Sequence, residues 1–74
     1  MFKIDEQVIL RNVPATLLYD LPTEDQDAII ARIGNLVTIV SSDAENSTVE
    51  FQDESGDYHV LWLANGYLDH ALGS

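Results

Sequence analysis

The sequence predicts a mainly β domain, a small barrel of about five short strands with one short helix at about residues 24–33. Three observations carry this expectation. Short runs rich in β-branched and aromatic residues recur between turn residues, at Gln7–Leu10, Leu36–Val40, Thr48–Asp53, Tyr58–Leu63 and Tyr67-Leu68. A single stretch carries the spacing and the end residues of a helix. The chain is also only 74 residues long, and short strands joined by tight turns suit a small barrel, in which closing the sheet removes exposed edges.

Val8-Ile9-Leu10 forms the heart of the first strand. Pro14 then marks an edge or a bend, because proline donates nothing to a central ladder. Leu17-Leu18-Tyr19 is a second apolar run, open to reading as a bridge, a brief strand or a loop packed on the core. The helix follows. Thr23 and Gln26 have capping-box spacing, and Glu24, Asp25 and Asp27 suit the positive end of a helix dipole. Ala28, Ile29, Ile30 and Ile33 supply the apolar stripe, Arg32 falls in the last turn, and Gly34 suits the left-handed position that ends a helix. Beyond Leu36–Val40, the polar residues Ser41 to Ser47 read as a loop. In Thr48–Asp53 the alternation puts Val49 and Phe51 on one face. Glu54-Ser55-Gly56-Asp57 is a hairpin turn with Gly56 free to take positive φ. Tyr58–Leu63 has apolar residues on both faces, as in a strand deep in a closed sheet. Asn65-Gly66 is a further turn, before a last short strand.

Charge is the largest departure from the average. Thirteen Asp and Glu face Lys3, Arg11 and Arg32, for a net charge of −10. Such a chain is repelled by phosphate backbones and by anionic bilayers, which argues against direct binding to nucleic acid or membrane. The carboxylates either coat the domain for solubility or steer a basic partner. With no cysteine there are no disulfides, thiolate metal sites or cysteine nucleophiles, and the composition fits a reducing cytoplasm. No apolar run reaches the roughly 18 residues of a membrane span, and the first residues carry no signal-peptide pattern. Residues 1–72 read as one domain, and Gly73-Ser74 as a cloning remnant.

Leu17-Leu18-Tyr19-Asp20-Leu21 resembles the Ala-Leu-Tyr-Asp-Tyr signature of SH3 domains. Gly34 follows Tyr19 by 15 residues and leads into an apolar strand, a spacing similar to the SH3 pattern. Leu63-Ala64-Asn65-Gly66-Tyr67-Leu68 resembles the Pro-Ser-Asn-Tyr-Val segment, which is a short 3₁₀ turn leading into a final strand. The resemblance spans roughly residues 8–70 and implies an SH3-like barrel with the helix in place of the family's acidic loop. In that family Tyr19 and Tyr67 would line a peptide groove and Asp20 would border it. The family's ligand-contacting Trp is replaced by Thr48 or Val49, and its closing Pro by Leu63 or Ala64, so the likeness implies the fold and not proline-rich peptide binding. The chain is also similar to short bacterial SH3-like proteins of unknown function, some encoded near toxins or restriction systems. That likeness implies no activity.

Nothing in the sequence names a reaction, and no catalytic residue or cofactor is expected. Asp53, Glu54, Asp57 and His59 gather around one turn, but their spacing matches no metal loop. His59 reads as packing at a strand edge and His70 as a frayed terminal residue. The serines have no elbow motif around them. The aromatics are more informative. Tyr58, Val60 and Trp62 share one face of their strand, and His59, Leu61 and Leu63 share the other. Tyr19, Tyr58, Trp62 and Tyr67 are therefore the candidate partner-binding patch, with Asp20, Glu24, Asp25 and Asp27 as its acidic rim. The competing reading has Trp62 capping the core against the helix. The expected function is protein–protein interaction with a basic partner and no catalysis. The alternative is an acidic decoy that blocks a basic, nucleic-acid-binding protein. A homodimer remains open.

Overall fold

Residues two apart share a face of a strand, and this rule assigns most of the core. In the computed structural model, which describes residues 2–71, Val8 and Leu10 of β1 (Gln7–Leu10), Val37 and Ile39 of β2 (Leu36–Ser42), Val49 and Phe51 of β3 (Asn46–Gln52) and Leu61 and Leu63 of β4 (Tyr58–Ala64) are all buried. Leu68 of β5 (Leu68–His70) joins them, together with Val13 and Ile29. The Gly73-Ser74 pair lies outside the described residues.

The fold is mainly β, as expected. Its five strands pair antiparallel in one sheet of order β4-β3-β2-β1-β5. A 3₁₀ turn, Asn65–Tyr67, carries the chain from one margin, β4, to the other, β5. In a flat sheet those margins would lie about 19 Å apart, four strand spacings. Three residues of 3₁₀ helix advance about 6 Å. The sheet must therefore curl strongly to bring its margins together, and the curl is what encloses the core.

The turn that imposes the curl is tied down on two sides. Asn65 donates from its backbone N–H to the Glu45 carbonyl at 2.9 Å and from its side-chain amide to the Asp43 carbonyl at 2.8 Å. Its side-chain oxygen accepts from Ser47, which is buried and lies 2.8 Å from the Ser42 hydroxyl. On the other side Arg11 donates its guanidinium to the Gly66 carbonyl and its backbone N–H to the Tyr67 carbonyl.

Four expectations need correction. Leu17-Leu18-Tyr19 is neither strand nor bridge: Ala15–Leu18 is a one-turn helix, α1, with Tyr19 at its C-terminal end. Pro14, extended at φ −69°, precedes it, and Leu17 and Leu18 still pack against the core. The helix α2 (Thr23–Arg32) starts one residue earlier than expected, with Pro22 at its N-cap and no side-chain cap. Thr23 is therefore the first helical residue and not the cap, and Gln26 donates to the Leu21 carbonyl instead of completing a capping box. The loop read at Ser41 to Ser47 shrinks to residues 43–45, because the serines pair in β2 and β3. Finally, β4 is a margin of the sheet and not a strand deep within it. Gly34 and Gly56 do take the left-handed conformations expected of them, at φ +88° and +91°.

Helix α2 lies on the core through Ile29, with Leu21 and Ile33 beside it, while Ile30 is exposed. No described helix is long and apolar enough to cross a membrane. Ile29→Ala should cost about 2–5 kcal/mol in urea unfolding. Ile30→Ala, the next residue along, should stay within about 0.5 kcal/mol of the parent.

Candidate functional site

Two surface features stand out, one on β4 and one beside the turn that leads into it. The first is made by alternation alone. With His59, Leu61 and Leu63 directed inward, Tyr58, Val60 and Trp62 stand on the outer face and are 68%, 62% and 66% exposed. Their cross-strand neighbours on β3 are Gln52, Glu50 and Thr48, all polar. Trp62 therefore does not cap the core against α2. It stands at the end of an apolar row that the rest of the domain leaves bare.

The second feature is a groove of about 790 Å³ between α2 and the β3–β4 turn. Glu24, Asp25 and Asp27 line it from the helix, and Asp53, Glu54 and Asp57 line it from the turn. Phe51 and Arg32 complete its wall, with the guanidinium 5.2 Å from the ring centroid. Arg32 also donates to the Leu36 carbonyl at 2.8 Å. Among the described residues the ion pairs all involve His59 or His70, so no Lys or Arg neutralises a carboxylate.

Asp53 organises the turn. One carboxylate oxygen accepts the backbone N–H groups of Ser55 and Asp57 at 2.8 and 3.0 Å, and the other meets His59 Nε2 at 2.7 Å. The His59 ring stacks on Phe51 at 5.0 Å, and its Nδ1 lies 3.8 Å from Asp25 on α2. The imidazole thus links the helix to the hairpin. The His59 hydrogen bond, assisted by those backbone N–H groups, holds the Asp53 carboxyl below its ordinary value. At the far end of the sheet, His70 is not frayed. It pairs in β5 and meets Glu6 at 2.8 Å. The Lys3 backbone N–H, followed by His70, lowers the Glu6 pKa.

The expected patch is only partly assembled. Tyr58 and Trp62 share the outer row, with Val60 between them. Tyr19 is exposed at the end of α1, and Tyr67 packs against the core. No ring contact joins any two of the four among the described residues. Of the expected rim, Glu24, Asp25 and Asp27 line the groove, whereas Asp20 is exposed outside it. Asp53, Glu54 and Asp57 form its other wall, and the sequence signal for that was present. A helix with acids in its first turn, packed beside a hairpin whose turn is acidic, brings the two sets together. The described residues include no group of three or more His, Asp or Glu able to hold a metal ion.

No family model, curated protein or solved structure matches the chain.

The depressed Asp53 pKa fixes the sign of a pH effect. Its contribution to stability is fully present above the unfolded-state carboxyl value and is lost as pH falls through the lower folded value. Asp53→Asn should therefore unfold at a lower temperature than the parent at pH 7. The gap should narrow as thermal melts are taken down through the acidic range.

Proposed function

We propose that this chain is a small acidic protein-interaction module of SH3-like type that binds a basic protein partner and catalyses nothing. The observation that carries the reading is the row Tyr58, Val60 and Trp62, all more than three-fifths exposed on one face of a marginal strand. Large aromatics anchor interfaces because they release much apolar surface from water with few rotors to freeze. A sheet face needs no such row for its own folding. Here the sheet contributes to the core through its opposite face.

Charge supplies the partner's sign. Net charge of −10, with no Lys or Arg in an ion pair among the described residues, leaves a negative field that raises the encounter rate of a basic surface. The SH3-like assignment draws its support from the strand order and from the 3₁₀ turn between the last two strands. The absence of cysteine suits the reducing cytoplasm, where we place the protein. The decoy reading has one observation in its favour, the six carboxylates around the groove between α2 and the hairpin.

Salt and mutation separate the two. Partner capture with Trp62→Ala as bait should lose about thirtyfold in affinity at every salt concentration, the magnitude of an interface anchor. Reversing Glu24, Asp25 and Asp27 to lysine should chiefly slow association and flatten the salt dependence. A complex indifferent to Trp62→Ala but abolished by charge reversal or by raised salt would overturn the aromatic-row reading in favour of the decoy.

A further inference from the structure

Hydrogen-bond phase shows what lies along the open side of β4. In an antiparallel pair, residues alternate between those bonded to the partner strand and those whose N–H and C=O point away. The β3–β4 ladder keeps one register throughout, from Asn46↔Ala64 to Gln52↔Tyr58. Hydrogen bonds just beyond its two ends set the phase. Asp53 N–H donates to the Asp57 carbonyl at 2.9 Å, and Asn65 N–H donates to the Glu45 carbonyl at 2.9 Å. Counting inward from either end, His59, Leu61 and Leu63 are the residues bonded to β3. Tyr58, Val60 and Trp62 direct their N–H and C=O groups outward. No described backbone hydrogen bond from another segment reaches them.

The same three residues therefore present exposed apolar side chains and open main-chain donors and acceptors. Next to them runs a trough of about 460 Å³, lined by Leu21, Asp25 and Ile29 on one side and by residues 57–61 on the other. Edge strands are usually blunted by lysine, proline or a bulge. β4 has none of these, and its pairing with β3 is unbroken.

We propose that an extended, basic segment of the partner adds to this edge as a further strand, hydrogen-bonded to Tyr58, Val60 and Trp62. This inference rests on the interaction-module reading and specifies its mode. Strand addition obtains affinity from main-chain bonds and specificity from alternate side chains. One set would lie beside the outer row, where lysine or arginine can sit over the faces of Tyr58 and Trp62. The other set would enter the trough, with aliphatic groups against Leu21 and Ile29, and cations at the mouth meeting Asp25 and Asp57. Charge selects this occupant over a second copy of the chain. Pairing two β4 edges would join two bodies of net charge −10 with their carboxylate-lined troughs side by side.

The probe is an acetylated, amidated heptapeptide alternating lysine with valine. It is compared with two versions N-methylated on the lysines alone or on the valines alone, which together block either edge of the peptide. The parent peptide should slow hydrogen exchange at the amides of Tyr58, Val60 and Trp62. At least one methylated version should bind at least about tenfold more weakly, the effect of losing three hydrogen bonds. Val60→Pro removes one outward donor that the β3 ladder does not use, so it should melt near the parent temperature yet bind about tenfold more weakly, a larger loss than that of Val60→Thr, which keeps the donor. Strand addition is overturned if the parent peptide fails to bind or if both methylated peptides bind as tightly as the parent. Concentration-dependent dimerisation in sedimentation, with the same three amides protected, would also overturn it. If methylation has no effect but Trp62→Ala still abolishes binding, the aromatic row survives and only the strand-addition mode fails. If Trp62→Ala binds the peptide unchanged, the interaction-module reading fails as well.

Discussion

The turn Asn65–Tyr67 leaves the sheet no choice but to curl, because it spans between opposite margins in three residues. Curling sorts the side chains of every strand into a concave set that is enclosed and a convex set that is not. Ser47 and Asn65 hold the turn to the β2–β3 connection, and Arg11 holds it to β1. A buried serine in an otherwise apolar core is costly unless bonded. Ser47 meets this condition by engaging both Ser42 and Asn65, so the polar group in the core belongs to the device that shapes the sheet.

The acidic composition opposes that compactness. Among the described residues the arginines do not offset it by pairing with carboxylates. Arg11 and Arg32 each donate to a backbone carbonyl, one on the 3₁₀ turn and one at the start of β2. Their work is in fastening segments together. The carboxylates find partial relief locally, at Asp53 from backbone N–H groups and His59, and at Asp43 from the N–H groups of Asn46 and Glu45, which lower its pKa. The acids that shape turns are thus stabilised by the turns themselves, while Glu24 and Asp27 on α2 are left facing solvent.

Strands and their inner faces were legible because alternation and turn residues are local signals. Val49 and Phe51 could be placed on one face from spacing alone, and Gly34 and Gly56 stand where positive φ is required. Three features were illegible for nonlocal reasons. Prolines 14 and 22 start helices here, but each could equally have ended a strand, and the choice depends on how Leu17, Leu18 and Ile29 reach the core. The serines of β2 and β3 look like a loop until strand pairing satisfies their backbones. Which strand lies at the margin is a property of the whole ladder, so the apolar residues on both faces of β4 pointed the wrong way. The candidate patch was half legible for the same reason. Tyr58 and Trp62 are related by strand period, whereas no local spacing ties Tyr19 or Tyr67 to them.

The division of β4 into two faces also bears on how such a domain can change over generations. His59, Leu61 and Leu63 are tied to the folding core or to the hairpin, and a substitution there is felt throughout the domain. Tyr58, Val60 and Trp62 meet only polar neighbours on β3, and their main chain turns outward. These positions can drift with little penalty to the fold. A lineage could therefore change the character of this outer face through three substitutions on a single strand, leaving the rest of the chain as it is.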